Sequence, residues 1–322
     1  MIRLKASLAN GWKAGLATTW TLGKVIFPVT LLVGILRHKP VLDWIIQLIA
    51  PLMGLIGLRG EAAIPLVLGN FLNLYAGIAG ILTLDLSVKE VFILAVMLSF
   101  SHNLIIESTV AAKVGIKLWL ILIVRVGLAI ISAAVINLVW RGGGEMAQYG
   151  FISKSQSHPD GWGEILLDAI GKGVLGIVQL AAIVIPLMII MQFMKDFGWL
   201  KVFSKWMAPV TRFLGMRENT SMTLVAGLTI GLAYGAGVMI QAVKEDGVSY
   251  RDLTLAFIFL VSCHAVVEDT LIFVPLGISV LPLFLIRVIT AVLLTVIIAK
   301  LWKQPDSSAR KEPVHEKEYH SV

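Results

Sequence analysis

The chain carries one series of residues twice. Several residues of its first half recur in its second half at a constant interval: His102/His264, Gly115/Gly277, Arg125/Arg287 and Trp140/Trp302. Upstream the interval is slightly shorter, for Pro28/Pro186, Pro51/Pro209, Gly57/Gly215, Arg59/Arg217, Gly69/Gly227 and Gly77/Gly235. Such a chain folds into two related units, and ionisable residues at equivalent depth in both halves indicate a site between them.

The composition is that of an integral membrane protein. Of 322 residues, 57% are hydrophobic and only 15% charged, with a mean hydropathy of +0.88. Several apolar runs exceed the roughly 20 residues that cross a bilayer, and they have no polar face to show to water. The net charge of +7 therefore indicates basic cytoplasmic loops, and we expect no nucleic-acid partner. The single cysteine, Cys263, excludes an internal disulfide and a cysteine-based zinc cage.

The repeat divides the chain into four parts. We predict a first repeat at 1–140 with an amphipathic N-terminus on the membrane surface, a polar linker at 141–171, a second repeat at 172–302 and a disordered, cytoplasmic tail at 303–322. Each repeat contains a proline-bearing span, a basic amphipathic stretch, a glycine-rich run, a histidine-bearing span and an arginine-bearing span. The predicted segments are 17–36, 41–58, 62–84, 90–112 and 117–140 in the first half, and 172–194, 197–216, 219–243, 252–275 and 279–300 in the second.

The glycine-rich runs decide the topology. If each run enters the membrane and turns back, the two halves are inverted; if each run crosses, the halves are parallel. The inverted arrangement places more lysines and arginines on the cytoplasmic side, where they are preferred, with both termini inside. We therefore predict an all-α membrane protein of two inverted repeats with re-entrant helical hairpins, whose tips lie near 69–73 and 231–235.

Two histidines and three carboxylates are the residues most able to carry chemistry. Glu107 follows His102 by five positions, and Asp269 follows His264 by five positions. Glu268 lies four positions after His264. On an ideal helix His102 and Glu107 point about 140° apart, so they share a site only if the helix is broken. Such a group could bind a divalent transition metal, relay protons or hold the polar edges of an organic solute.

A structural role competes with each of these assignments. Arg125 and Arg287 reach the depth of Glu107 and Asp269 in a helical hairpin, so both acids could be used in intramembrane ion pairs. Glu268 has no equivalent in the first half and is the acid that we most readily assign to function. The histidines could also be hydrogen-bond links between helices.

Further polar residues complete the candidate list. Cys263 lies beside His264 and could ligate a soft metal, although a buried cysteine usually only packs. Asn70, Asn73, Thr229 and Tyr234 lie near the predicted hairpin tips, where they could bind a nucleoside-like solute or only make packing hydrogen bonds. No HExxH, GxSxG, P-loop or GxGxxG signature occurs, so we expect no enzymatic activity.

The glycine-rich hairpin followed by a polar-centred span resembles the nucleoside-recognition, or Gate, domain family, and the likeness extends over about 11–302 as two Gate units. This inverted membrane repeat is shared by concentrative nucleoside transporters, the membrane part of the ferrous-iron transporter, and stand-alone proteins such as the spore-maturation pair. The chain looks most similar to the stand-alone bacterial or archaeal members. It lacks the Gln/Glu and Asn-Glu-Phe motifs of nucleoside transporters, and it lacks the GTPase domain of the iron transporter.

These observations predict a multi-pass transporter of the bacterial or archaeal cytoplasmic membrane, with a midplane site for a small polar or ionic solute. A divalent metal ion at His102, His264, Glu268 and Cys263, or a proton-coupled substrate, is slightly favoured; a coupling Na⁺ or H⁺ is the other ion expected. A nucleoside or nucleobase transporter and a non-transporting membrane scaffold are the alternatives. The expected partners are the lipid bilayer, the substrate and further copies of the chain.

Overall fold

The computed structural model describes residues 2–36, 40–150 and 162–302. Apart from one isolated antiparallel bridge between Ser87 and Met146, these ranges are helical and irregular without β-structure. The helices of the first half are α1 (Ile2–Leu36), α2 (Pro40–Leu55), α3 (Ala63–Phe71), α4 (Leu74–Leu82), α5 (Val88–Ser101), α6 (Leu104–Lys113) and α7 (Leu118–Val139). Those of the second half are α8 (Trp162–Asp196), α9 (Trp199–Phe213), α10 (Ser221–Ile230), α11 (Leu232–Asp246), α12 (Tyr250–Ser262), α13 (Glu268–Leu271) and α14 (Val280–Leu301).

Five helical segments in the described ranges are long and apolar enough to cross a membrane: Leu4–Leu32, Val88–Lys113, Leu118–Val139, Leu166–Met194 and Val280–Leu301. Many of their large apolar side chains face outward and are exposed, as in Trp20 and Leu138. A surface of this kind is stable only against lipid or another apolar surface. The chain is therefore a multi-pass, all-α membrane protein, as its composition predicts.

The two longest helices, α1 and α8, pack against each other in antiparallel directions. Gly11 lies opposite Ile189, and further along the pair Gly23 lies opposite Ile177. At Gly11 an added Cβ would come within 2.6 Å of the Ile189 Cα. The glycines thus let the two backbones approach closely, which is how helices associate in a membrane.

Each glycine-rich run forms a hairpin of two short helices, as predicted. In the first hairpin, α3 and α4, the backbones meet where Gly69 faces Gly77. Both arms have 9 residues, or roughly 13 Å, which is less than half of a bilayer core. The second hairpin, α10 and α11, turns at Gly231, whose φ of 86° favours glycine.

Both histidine-bearing segments are broken helices. The first breaks between α5 and α6, where Asn103 adopts the left-handed φ of 49°. The second breaks more widely: α12 ends at Ser262, Ala265 has a φ of 38°, and only the 4-residue α13 follows. The predicted span over 252–275 is therefore not one continuous helix.

The N-terminal segment belongs to the first long helix. The chain is already helical at Ile2, and α1 continues without interruption to Leu36. Its first turns pack on α8 through Gly11 and Gly15, because a small residue there allows close contact. The segment is therefore helical and continuous with the first span, and its position relative to the membrane surface stays a prediction. The segments 151–161 and 303–322, which hold part of the predicted linker and the predicted tail, lie outside the described residues.

Equivalent positive charges complete the ends of α7 and α14. The ammonium group of Lys89 donates to the carbonyl of Asn137 at 3.1 Å, and the guanidinium of Arg251 donates to the carbonyl of Ala299 at 2.9 Å. Cations are favourable at helix C-termini, where carbonyl groups lack helical partners. The two halves thus share local chemistry as well as sequence.

The interior contains two hydrophobic clusters, and each draws on both halves. The first is built mainly from the first half, but it includes Ile272, Phe273, Leu276, Ile278 and Leu283 from the second. The second is built mainly from α9 to α12, but it includes Val110, Ala111, Ile116 and Ile121 from the first. Helices α7 and α14 each begin in the cluster of the opposite half and end in that of their own. The halves are therefore interlocked.

Candidate functional site

The two helix breaks are held open by backbone carbonyls of the hairpins. The Asn103 amide donates to the carbonyl of Gly69 at 2.8 Å, and the Ala265 amide donates to the carbonyl of Gly227 at 3.0 Å. Buried amides that lose their helical acceptor need such partners. Each hairpin thus fixes the break, and with it the histidine before the break and the acid after it.

The breaks bring His102, Glu107, His264 and Asp269 together between the halves. The Nε2 atom of His264 lies 3.1 Å from Glu107 Oε2 and 3.5 Å from Asp269 Oδ2. The Nε2 atom of His102 lies 3.4 Å from Glu107 Oε1 and 3.9 Å from Asp269 Oδ2. The two imidazole rings are 5.2 Å apart between centroids, and all four side chains are buried. Each acid therefore meets the histidine of its own half and that of the other half. We refer to these four residues as the His-acid cluster.

One arginine stands behind each acid. Arg125 donates to Glu107 Oε2 at 2.9 Å, and Arg287 donates to Asp269 Oδ2 at 3.2 Å. Both predicted ion pairs are present, and both guanidinium groups are fully buried. They do not use up the acids, because each carboxylate still faces both imidazoles.

The arginines also satisfy the carbonyls that the breaks release. Arg125 donates to the carbonyls of Phe100, at 2.9 Å, and His102. Arg287 donates to the carbonyl of His264 at 2.7 Å. The planar guanidinium with its five donors can bind a carboxylate and a backbone carbonyl together, whereas an ammonium cannot hold this geometry.

The hydrogen bonds at Nδ1 fix the tautomer of both histidines. His102 Nδ1 lies 2.6 Å from the carbonyl of Leu98, and His264 Nδ1 lies 2.8 Å from the carbonyl of Leu260. A carbonyl only accepts, so Nδ1 carries the hydrogen in both rings. In a neutral ring Nε2 is then an acceptor. Each Nε2 lone pair would face carboxylate oxygens, which are also acceptors.

Such acceptor–acceptor contacts are repulsive unless a positive centre lies between them. A proton removes the repulsion, since a protonated Nε2 or carboxyl group donates across the gap. A metal ion does so equally, because it binds the imidazole lone pair and the carboxylate at once. The geometry of the His-acid cluster therefore fits a proton or a metal ion between the imidazoles and the carboxylates.

The spacing of the cluster suits a transition metal as well as a proton. His102, His264 and Asp269 each offer one ligand atom, and the three atoms lie within 4.8 Å of one another. Metal–nitrogen and metal–oxygen bonds of 2.0–2.2 Å give a tetrahedral edge of about 3.3 Å. Within this group the Nε2 atoms of His264 and His102 lie 3.5 and 3.9 Å from Asp269 Oδ2, somewhat beyond that edge. Glu107 lies nearer to the same two Nε2 atoms, at 3.1 and 3.4 Å.

Glu268 and Cys263, which the sequence suggests as metal ligands, are placed differently. Glu268 accepts a hydrogen bond from the hydroxyl of Tyr75 at 2.8 Å and lines the adjacent cavity. The Cys263 thiol is buried and is not part of the three-residue ligand group. Asp269, rather than Glu268 as the sequence suggests, is the acid of the second half that lies beside the two histidines.

The polar residues near the hairpin tips contribute little to the site. Asn73 lines the cavity, but its side-chain oxygen caps α4 by accepting from the Ala76 amide at 2.9 Å. The Thr229 hydroxyl donates to the carbonyl of Val225 within its own helix. Asn70 and Thr229 are absent from the cavity lining, and the side chain of Tyr234 lies outside the described part of the chain.

A cavity of about 160 Å³ adjoins the His-acid cluster. It is walled by α1, by the tips of both hairpins and by both helix breaks. Pockets for organic ligands commonly have volumes of about 300–1,000 Å³. The cavity therefore has room for a small ion with several waters, whereas a nucleoside would require it to widen.

Comparisons with known proteins place this geometry in a family. The model of the "Gate: Nucleoside recognition" family matches residues 19–117 and 177–279, so one match falls in each half and each contains a hairpin and a histidine. The chain is 70% identical over 306 residues to the "Uncharacterized membrane protein YvoD" of Bacillus subtilis (strain 168), covering 95% of this chain and 98% of that protein. No solved structure matches the chain. The protein is a member of the Gate, or nucleoside-recognition, family of membrane proteins.

Proposed function

We propose that the protein is a membrane transporter for a small cation, whose binding site is the His-acid cluster. The observation that carries this proposal is the pair of histidines whose Nδ1 atoms bind carbonyls while their Nε2 atoms face carboxylates of both halves. This arrangement is repulsive when empty and is relieved by a proton or a metal ion. The cargo that we infer is a first-row divalent transition metal, for which the proton competes at the same nitrogen atoms.

The antiparallel packing of α1 and α8 supports an inverted repeat. These helices are equivalent in the two halves, as Pro28 and Pro186 indicate, and they run in opposite directions. The arms of the first hairpin, of 9 residues each, and α10, of 10 residues, suit re-entrant segments that end near the middle of the membrane, whereas α11 is longer, at 15 residues. In transporters of this type the substrate site lies at the midplane between the repeats, and the repeats rock around it. A cytoplasmic-membrane location with both termini inside belongs to the same proposal.

A thermal-shift panel on the purified protein tests the proposal. Mn²⁺, Co²⁺, Zn²⁺, nucleosides and nucleobases are added separately at about a hundred times the expected dissociation constant. A ligand that binds only the folded state adds about 2.7 kcal/mol under that condition, or roughly 5 °C for a chain of this size. We expect one of the metal ions to raise the melting temperature by this amount.

Two variants make the result specific. The double variant His102→Ala/His264→Ala should lose the metal response and, in proteoliposomes, the uptake of the same ion. Cys263→Ser is the matched control, because its thiol lies outside the ligand group and Ser101 stands at the equivalent position of the first half. Stabilisation by a nucleoside alone, or an unchanged metal response in the double variant, would refute a cation site at the cluster.

A further inference from the structure

A second, much smaller cavity lies beside the central one. It is bounded by α1, α4, α8 and the segment that follows α13, and its volume of about 10 Å³ is enough for about one water molecule. Most of its lining is apolar, including Ile26, Leu180 and Ile272. Two polar side chains, those of Tyr75 and Gln179, reach its wall.

Gln179 is an unusual residue for the interior of a membrane-spanning helix. Its side chain is only 4% exposed, yet neither the amide nitrogen nor the amide oxygen has a hydrogen-bond partner among the described residues. Such unpaired groups cost about 1–3 kcal/mol each and are rare in folded proteins. The chain also approaches it closely, since a Cβ on Gly150 would lie 2.7 Å from the Gln179 Nε2. A water in the small cavity would supply the donor and the acceptor that this amide lacks.

Tyr75 forms part of the wall of both cavities. It extends from the tip of the first hairpin and donates to Glu268 Oε1 of the second half at 2.8 Å. This contact has no counterpart, because the equivalent positions of the other half are Ala233 and Ile106. On one wall of the central cavity this hydrogen bond therefore links the two halves, and Tyr75 lines the small cavity as well.

We propose that Tyr75 is the gate between the central cavity and a hydration site at Gln179. In the structure its hydroxyl donates to Glu268, and its side chain lines both spaces. Movement of the ring would join them, so that water could reach the His-acid cluster from the side of α4 and α8. The inference rests on the proposed function in taking the central cavity as the substrate site.

Thiol labelling tests the gate without reference to any substrate. In a Cys263→Ser background, which has no other cysteine, Gln179→Cys provides one thiol in the small cavity. A small cationic methanethiosulfonate reagent is then applied to protein with Tyr75, Tyr75→Phe or Tyr75→Ala. We expect labelling about tenfold faster with Tyr75→Ala and about threefold faster with Tyr75→Phe, which keeps the ring but loses the bond to Glu268.

Val184→Cys is the matched control, since Val184 lies on the same helix and is fully buried in the first hydrophobic cluster. Its labelling should stay slow in all three backgrounds. Equal labelling of Gln179→Cys in all three would overturn the gate. If Tyr75→Ala fails to fold, the Tyr75→Phe comparison decides alone.

Cation binding is measured separately on the same variants by the thermal shift. Tyr75→Phe should keep the metal response of the parent protein while its uptake rate changes. A metal response without any effect of Tyr75 on labelling refutes the gate and leaves the proposed function standing. Labelling that depends on Tyr75 in a protein that binds no cation refutes the proposed function and keeps the gate.

Discussion

The ion pair between Glu107 and Arg125 provides a stringent test of the electrostatics of the site. Glu107→Gln keeps the size of the side chain but removes the charge that lies 2.9 Å from the guanidinium. Arg125 is fully buried, so water cannot replace the lost partner. Breaking a buried pair in this way costs about 3–5 kcal/mol, and we expect the melting temperature to fall by roughly 6–10 °C.

The assay uses the only thiol in the chain. Cys263 is fully buried, so a thiol-reactive fluorophore reports unfolding when this residue becomes exposed. Glu145→Gln is the matched control, because it makes the same chemical change at an exposed carboxylate. Its melting temperature should stay within about 1 °C of the parent value, since surface substitutions are usually within ±0.5 kcal/mol.

The double variant Glu107→Gln/Arg125→Met separates charge pairing from other effects. Arg125→Met alone should also destabilise, because the carbonyls of Phe100 and His102 lose their donor. With the positive charge removed, however, the carboxylate is no longer needed to balance it. The double variant should be more stable than the sum of the single losses by about 2–3 kcal/mol. Losses that add to within 0.5 kcal/mol would refute the argument that the buried charges depend on each other.

Two further predictions concern the ligand and the first hairpin. Because metal binding releases protons from its ligands, the apparent affinity of the cluster for the metal should fall as the pH is lowered; isothermal titration at several pH values measures this affinity, and a flat profile would contradict metal binding to protonatable ligands. Gly77→Ala should destabilise by about 1–3 kcal/mol, since its Cβ would lie 3.0 Å from the Gly69 Cα, whereas Gly127→Ala, with no atom within 4 Å of its Cβ, should be neutral or stabilising. Thermal unfolding of the two variants measures this difference. Equal melting temperatures would show that the hairpin tolerates a wider spacing between α3 and α4.

Much of the architecture follows from residue spacing. The two intervals predict the two halves, and the glycine-rich runs predict both hairpins within a few residues of their turns. Helical geometry also shows that His102 and Glu107 can meet only across a break, and the structure has that break at Asn103. Asparagine is among the few residues that tolerate the left-handed conformation, so a weak local signal was present.

The second break has no such signal. Ala265 takes a positive φ, which alanine rarely adopts, and the carbonyl of Gly227 that accepts from its amide is distant in sequence. An unbroken helix would place Glu268 on the face of His264, four positions away. Because the chain is irregular before α13, Asp269 turns toward the imidazoles instead.

Long-range contacts explain the remaining differences. Glu268 stands out in the sequence because it has no equivalent in the first half, but its partner Tyr75 belongs to the other half of the chain. The carbonyls of Leu98 and Leu260 that set the histidine tautomers lie only four residues before each histidine, but a backbone acceptor carries no side-chain signal. Backbone acceptors and contacts between halves depend on the assembled fold, and periodicity does not encode them.

The interlocked interior has a consequence for synthesis of the chain. The first hydrophobic cluster includes Ile272, Phe273 and Leu283, which leave the ribosome after nearly all of the second repeat. Until then the first repeat lacks part of its packing. Arg125 already has its carboxylate partner at that stage, but the interior that buries the pair is incomplete. Domains usually fold in the order in which they are made. Here neither repeat completes its packing alone, and insertion of α14, the last helix among the described residues, is the step that completes both clusters.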